Sequence, residues 1–138
     1  MDFEFAVDGG QWLGVVIGSV LYMVLSMVWY LPKVFGTIWM NDEGLDEEVL
    51  RENASPFMYI VTFAMALISN ISIALILSQV GGGLMNGLIV GLILGGGIAG
   101  MAIGPHYMFA LKKRLAVIQM AHAALLITVS GVIIGALT

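Results

Sequence analysis

The sequence predicts an all-α fold: a polytopic membrane protein whose four transmembrane helices form one compact bundle. The chain of 138 residues is 60% hydrophobic and only 10% charged, whereas soluble domains carry about 25% charged residues. Three long runs carry no charge, and the middle one, residues 53–111, is long enough for two spans that Gly81 to Gly83 separate, since a bilayer core needs about 20 apolar residues. We therefore expect a single domain over residues 1–138, with helices at about 11–31, 56–79, 84–111 and 115–137.

The first run is expected to be a retained span. It follows Asp2, Glu4 and Asp8 and no cation, whereas a cleaved secretory signal begins with positive residues. Pro32 stops or bends the helix at its far end, because the residue before a proline disfavours the helical conformation.

Residues 32–55 form the one substantial loop. Its first part is apolar and aromatic and is expected to lie at the membrane interface. Its second part predicts a short amphipathic helix from about Asp46 to Glu52, whose first turn is acidic, as the helix dipole favours. Ser55 as the N-cap and Pro56 in the first turn are typical of a helix start, and we place the second span there.

The third span is the richest in glycine. Its glycines form two rows at a spacing of four, and the rows are offset by one residue, or about 100° of helical rotation, where they meet. Small residues let helix backbones approach closely in a membrane. We therefore predict a central helix with two packing faces, each against a different neighbour. The rows are Gly83, Gly87, Gly91 and Gly95, and Gly96, Gly100 and Gly104.

Rows of small residues recur in the first span at Gly10, Gly14 and Gly18, and in the fourth at Gly131 and Gly135. Packing within one bundle is expected to occupy at least one face of the third span. The face that remains favours a homo-oligomer or an unknown membrane partner.

All five Lys and Arg residues fall on one side of the four spans, in the loop 32–55 or the turn 112–114. Cytoplasmic loops carry an excess of these residues. We therefore expect a multi-pass protein of the cell (plasma) membrane, with both loops in the cytoplasm and both termini outside.

The end of the first span reads WYLPKVFGTIW, and the acidic stretch GLDEE follows it. This pattern resembles that of a prokaryotic family of small four-span membrane proteins, domain of unknown function 1761. The resemblance implies a membrane fold and no particular activity. The aromatic residues suit a cage or solute gate, and an interfacial anchor explains them equally well. The motif residues are Trp29, Tyr30, Pro32, Phe35, Gly36 and Trp39.

Four polar side chains within the spans form a candidate intramembrane polar site: Asn70, His106, Gln119 and His122. Ionisable residues inside a membrane are costly and indicate function by default. The two histidines are expected at similar depth, where they could relay protons or ligate a metal. Hydrogen bonds to neighbouring helices or snorkelling explain them as well. Asn70 could line a water-filled path, although such an Asn more often joins helices.

These features favour two functions. The first is a small-solute or ion pathway, within the bundle or in a homo-oligomer, because polar residues lie deep in an apolar protein. The second is a structural or accessory protein that packs against itself or a partner. We assign no cofactor and no metal, because no intramembrane acid or Cys completes a site. Nucleic acid is excluded as a partner, because no basic patch is present. A membrane enzyme is disfavoured, because no nucleophile, base and orienting group stand out together.

Overall fold

The computed structural model of the protein describes residues 6–138, and the predicted all-α fold class is confirmed over them. Asp2 and Glu4 lie outside the described residues. The helices are α1 (Gly9–Trp29), α2 (Thr37–Glu43), α3 (Glu47–Asn53), α4 (Pro56–Val80), α5 (Leu84–Leu92), α6 (Met101–Phe109) and α7 (Lys113–Ala136). Two π-helical segments, whose hydrogen bonds join residues five apart, are π1 (Pro32–Gly36) and π2 (Ile93–Gly100).

Four helices are long and apolar enough to cross a membrane. We call them spans one to four. Span one is α1 and span two is α4. Span three comprises α5, π2 and α6 and runs from Leu84 to Phe109, and span four is α7.

The observed span ends differ from the predicted ones by two residues at most. Span one begins earlier than expected because Asp8 and Gln11 form a capping box, in which each side chain bonds the other's backbone N–H. Span two begins after Ser55, as predicted, with Pro56 in its first turn; the Ser55 backbone is extended, and its side chain makes no cap hydrogen bond.

The start of span one, the C-terminal residues and the glycine link between spans two and three lie at one end of the bundle. Gly10 lies against the Leu137 carbonyl group, and Gly82 lies against Thr138. We call this the termini end. The opposite end, which carries residues 30–55 and the turn after Phe109, is the loop end.

Span four, not span three, is the central helix. Its buried positions run from Leu115 to Gly135 along nearly its whole length, and it packs against each of the other three spans. The four spans have similar mean hydropathy, between 2.0 and 2.4. Hydropathy therefore could not reveal which span packs against the other three. The prediction of a central span three is therefore wrong.

The two glycine rows of span three face the same neighbour. A Cβ atom on Gly91 would lie 2.7 Å from Thr128 Cα, one on Gly95 would lie 2.8 Å from the Ala124 carbonyl oxygen, and one on Gly104 would lie 2.9 Å from Met120 Sδ. All three neighbours belong to span four. These glycine contacts therefore do not form the second packing face of span three that we expected. That face was the basis for predicting an oligomer.

The π2 segment explains this result. A π turn accommodates one more residue than an α turn, so it absorbs the one-residue offset between the rows. Gly95 and Gly100 are both buried, and a Cβ atom on Gly100 would lie 3.4 Å from the Met120 carbonyl oxygen of span four. Gly96, by contrast, has no atom within 4 Å of such a Cβ. The packing row is thus continuous and comprises Gly87, Gly91, Gly95, Gly100 and Gly104.

Gly83 acts through its backbone. Its φ of +102° is a conformation that glycine adopts without strain, and its N–H donates to the Gly135 carbonyl oxygen at 2.8 Å. Asn86 holds the same link, because its Nδ2 donates to the carbonyl groups of Gly81 at 3.1 Å and Gly82 at 3.2 Å.

Spans one and two pack tightly only in their termini-end halves. Gln11 Nε2 donates to the Ala74 carbonyl oxygen at 3.2 Å, and Asn70 Nδ2 donates to Ser19 Oγ at 3.0 Å. Toward the loop end, none of residues 20–29 of α1 and none of residues 56–65 of α4 is buried. The two helices therefore leave a cavity between them at the loop end.

The loop contains more helix than the sequence predicts. The predicted surface helix is present as α3, and Asp46 Oδ1 accepts the Val49 N–H at its start. The preceding apolar part, expected only to lie at the interface, forms π1 and α2. Gly44 ends α2 with a φ of +69°, and the chain turns there toward α3.

Candidate functional site

The candidate site is the loop-end cavity between spans one and two, with a volume of about 650 Å³. Pockets of about 300–1,000 Å³ suit small organic molecules. Span four closes its inner side through His122, and α2 covers part of it through Trp39. One wall is formed by Tyr22, Met23, Ser26, Met27, Tyr30 and Leu31, and the other by Ala54, Met58, Tyr59 and Thr62.

The polar groups of the cavity are concentrated where span one meets span four. Ser26 Oγ and His122 Nε2 lie 3.1 Å apart, and either atom can donate the hydrogen, depending on the His122 tautomer. One turn away, the Tyr30 hydroxyl donates to Gln119 Oε1 at 2.8 Å. Two polar pairs thus tie the two helices together beside the cavity.

Aromatic rings surround His122. The ring centroid of Tyr30 lies 5.3 Å from that of His122, and those of Trp29 and Tyr22 lie 5.6 and 6.3 Å away. These separations fall within or close to the range of ordinary aromatic contacts. The imidazole is thus fixed by three rings and one hydrogen bond.

The WYLPKVFGTIW motif builds this aromatic surrounding by folding back on itself. Pro32 starts π1, and Gly36 lies so close to the Tyr30 carbonyl group that a side chain would collide with it. This fold-back places Phe35 against Trp29, with centroids 4.5 Å apart, and Trp39 against Tyr30, at 5.1 Å. The four aromatic residues of the motif therefore form two contacting ring pairs, and each pair has one ring beside His122.

Two ion pairs join α2 to the turn between spans three and four. Arg114 donates to both carboxylate oxygens of Asp42, at 3.0 and 2.5 Å, and Lys112 Nζ lies 3.0 Å from Glu43 Oε2. The hydrogen bonds from Arg114 hold the pKa of the Asp42 carboxyl below its usual range. Since Trp39 is one turn before Asp42 and Glu43, these pairs also hold Trp39 over the cavity.

The cavity itself is uncharged apart from the titratable His122. Of the described residues that line it, none is Asp, Glu, Lys or Arg. A charged molecule would therefore enter a low-dielectric space with no compensating charge, at a cost of several kcal/mol. The site suits a neutral molecule.

The structure brings together two of the four predicted polar residues. Gln119 and His122 both face Tyr30. Asn70 lies at the termini-end packing contact, where it is 1% exposed and bonds Ser19, seven residues or about 10 Å along α1 from Ser26. It joins two helices there.

His106 also lies apart from the cavity. It is exposed, and its ring contacts that of Tyr107 at 5.1 Å. Gly104, two residues earlier, faces span four, and two residues correspond to about 200° of helical rotation, so His106 points away from that span. The expected His106–His122 pair is therefore not formed.

The Ser26–His122 pair resembles the nucleophile and base of a hydrolase, but the rest of such a site is missing. Ser26 lies inside α1, where backbone N–H groups are already bonded and cannot stabilise an oxyanion. In the part of the chain from 6 to 138, no carboxylate bonds the imidazole to orient it. The arrangement suits hydrogen bonding to a bound molecule better than acyl transfer.

Sequence reasoning missed Ser26, Tyr22, Tyr59 and Thr62 as cavity residues. Single Ser, Thr and Tyr residues are common in membrane helices, so composition does not distinguish them. One signal was available: Tyr22, Ser26 and Tyr30 recur at a spacing of four and so share a face of span one.

Comparison with known proteins gives a family and no function. No curated protein and no solved structure matches the chain. The family described as Protein of unknown function (DUF1761) matches it over residues 13–135, which include both walls of the cavity and the whole aromatic motif. With nearly the entire chain matched, this four-span protein belongs to the DUF1761 family.

Proposed function

We propose that the protein is a membrane-embedded pathway for small uncharged solutes, with the loop-end cavity as its binding site. The observation that carries the proposal is the separation of spans one and two, which opens a cavity of about 650 Å³ with hydrogen-bonding groups on its inner side. A bundle whose only role was to pack its helices together would be expected to fill this space with side chains.

The surroundings of the cavity indicate how a solute reaches it. Met27 and Met58 line it and are 61% and 54% exposed on the surface that faces lipid. A solute dissolved in the bilayer can therefore approach sideways. On the loop side Trp39 of α2 lines the cavity and two ion pairs hold α2 in place, so we propose that movement of α2 completes the path.

Binding is tested by filling the cavity. We expect at least one neutral member of a solute panel (benzyl alcohol, indole, benzophenone) to raise the thermal midpoint of the purified protein, because a ligand stabilises the state it binds. Thr62→Trp, inside the cavity, should abolish the shift. Met65→Trp, on the same helix but outside the cavity, should preserve it. A panel without any shift, or equal shifts in both variants, would contradict the proposal.

Passage is tested in proteoliposomes with the solute that binds. Its exchange should be faster than in protein-free vesicles, and His122→Ala should slow it while leaving the fold intact by circular dichroism. Exchange no faster than in protein-free vesicles would refute a pathway and leave only a binding function.

We infer that both loops lie in the cytoplasm and both termini outside, in the plasma membrane. The support is the charge distribution, because all five cations fall at the loop end. The chain has no cysteine, so a cysteine introduced by Glu48→Cys or Thr138→Cys is the single site that a maleimide can label. Its labelling shows on which side of the membrane that position lies. In intact cells, an impermeant maleimide should label Cys at position 138 and spare Cys at position 48.

Self-association is the second candidate function, and one observation favours it. Gly96 and Gly97 of span three have open space where a Cβ would lie, and Gly97 is exposed. Glycines that the bundle does not use are available to a second copy or another membrane protein. Gly96→Leu and Gly97→Leu should leave the monomer folded and lower the association measured by energy transfer between labelled copies in lipid.

A further inference from the structure

We infer that the solute is an uncharged ring compound of two or three rings that carries one hydrogen-bond-accepting oxygen, such as an aryl ketone or a quinone. This inference rests on the proposed function, since it names the chemical class that the loop-end cavity would take. It follows from three features of the cavity: the kind of surface, the hydrogen-bond balance and the absence of charge.

The surface of the cavity suits flat rings. Four of its side chains are aromatic, Tyr22, Tyr30, Trp39 and Tyr59, and three are methionines, Met23, Met27 and Met58. Aromatic rings attract other rings through offset and edge contacts, and the polarizable methionine sulfur adds to them. A straight acyl chain would gain only the apolar contact. The ring-rich lining therefore favours a cyclic occupant.

The hydrogen-bond balance indicates an acceptor. In one tautomer of His122, the Ser26 hydroxyl donates to Nε2, and the Nδ1–H donor is not used by this pair. In the other, Nε2–H donates to Ser26 Oγ, and the serine hydroxyl hydrogen is left over. A donor thus remains in both tautomers, whereas a ring-nitrogen acceptor, Nδ1, remains only in the second. An oxygen without a hydrogen, such as a ketone, fits this side of the cavity.

Charge separates this class from lipid headgroups and carboxylates. Two basic side chains at the loop end, Lys112 and Arg114, are engaged with Glu43 and Asp42 of α2. They are not among the residues that line the cavity. A phosphate or carboxylate would therefore find no cation, whereas a neutral ketone requires none.

The experiment is photolabelling with benzophenone, a neutral two-ring ketone whose excited carbonyl reacts readily at methionine. The protein is reconstituted in nanodiscs of uncharged phospholipid, irradiated and mapped by peptide mass spectrometry. Met65 is the internal control, because it is 63% exposed to lipid, like Met27 and Met58, but lies outside the cavity. We expect labelling at the cavity methionines to exceed that at Met65 at least tenfold and to saturate.

Three competitors define the class. Fluorenone, a neutral planar ketone, should suppress labelling of the cavity methionines, whereas dodecane and 4-benzoylbenzoate, which is anionic, should not. Equal suppression by dodecane or by the anion would overturn the ring-ketone assignment while leaving a solute-binding cavity in place. Labelling that is the same at Met65 as in the cavity would overturn both proposals.

The polar anchor is tested separately. Ser26→Ala and His122→Phe should each raise the half-maximal fluorenone concentration about tenfold, and Ser72→Ala, on the exposed side of span two, should leave it unchanged. Chromatography and circular dichroism establish that the variants are folded. Unchanged competition in both cavity variants would refute the hydrogen-bonded oxygen and retain only an apolar ring.

Discussion

Gly95 and Gly100 lie on the same face of span three and against the same helix, although five residues separate them. The π2 segment makes this possible, because its hydrogen bonds span five residues and each turn holds one residue more than an α turn. The glycine row therefore follows span four without interruption from Gly87 to Gly104.

Glycines inside and outside this row are expected to respond oppositely to the same substitution. Gly91→Ala would bring a Cβ to 2.7 Å from Thr128 Cα, so the two backbones must separate, at a cost of about 1–3 kcal/mol of unfolding free energy. Gly96→Ala meets open space and should be neutral or slightly stabilising, since alanine favours helix. Unfolding in mixed micelles measures both. Equal destabilisation would contradict the contact.

Removing one residue from π2 should be tolerated. Deletion of Gly97 changes the Gly95–Gly100 spacing from five to four, which an ordinary α-helix places on one face. Deletion of Val90 from α5 is the matched control, because it rotates Gly87 by about 100° away from the rest of the row. We expect folded protein at near-normal yield from the first deletion and misfolding from the second.

Asn70 is expected to contribute to stability rather than to solute binding. Asn70→Ala removes its hydrogen bond to Ser19, and such bonds in membrane proteins contribute about 0.6–1.7 kcal/mol. Ser72→Ala serves as the control, since Ser72 is exposed and donates to the Ile68 carbonyl oxygen of its own helix. The N70A variant should still bind fluorenone with wild-type affinity. Loss of binding with unchanged stability would assign Asn70 to the site instead.

The Asp42–Arg114 ion pair of α2 should depend on pH in one direction. Because Arg114 lowers the folded-state pKa of Asp42, the contribution of this pair is present at neutral pH and is lost as pH falls through that lowered pKa. A spin label at Asn41→Cys, on exposed α2, should be immobile at pH 7 and mobile in acid or in Asp42→Asn with Glu43→Gln. The swap of Asp42→Arg with Arg114→Asp should restore immobility. A label equally mobile in all variants would contradict the attachment.

The positions of the spans could be predicted from the sequence, because water and lipid sort residues by hydropathy alone. Which span is central could not, since lipid-facing and helix-facing surfaces are both apolar. The direction in which each glycine row faces depends on the π-helical hydrogen bonds of residues 93–100. The repeat of an α-helix, applied to that stretch, predicts the wrong rotation of the second row relative to the first.

The site was predicted in pieces. Gln119, His122 and the aromatic motif were each recognised, yet the contacts that unite them join residues 89 and 96 positions apart, Tyr30 with Gln119 and Ser26 with His122. A periodic pattern within one helix cannot reveal contacts between residues so far apart in the sequence. The prediction paired the histidines by their distance along the chain from the turn, but rotation about the helix axis separates His106 from the cavity.

The separation of spans one and two at the loop end has a consequence for the local stability of the protein. Their termini-end halves are locked by glycine contacts and buried hydrogen bonds, whereas residues 20–29 and 56–65 contain no buried position. Amide hydrogens should therefore exchange slowly in one leaflet and quickly in the other, since sparsely packed regions open at lower free-energy cost. The molecule would be rigid at the termini end and compliant at the loop end, where we propose that a solute enters.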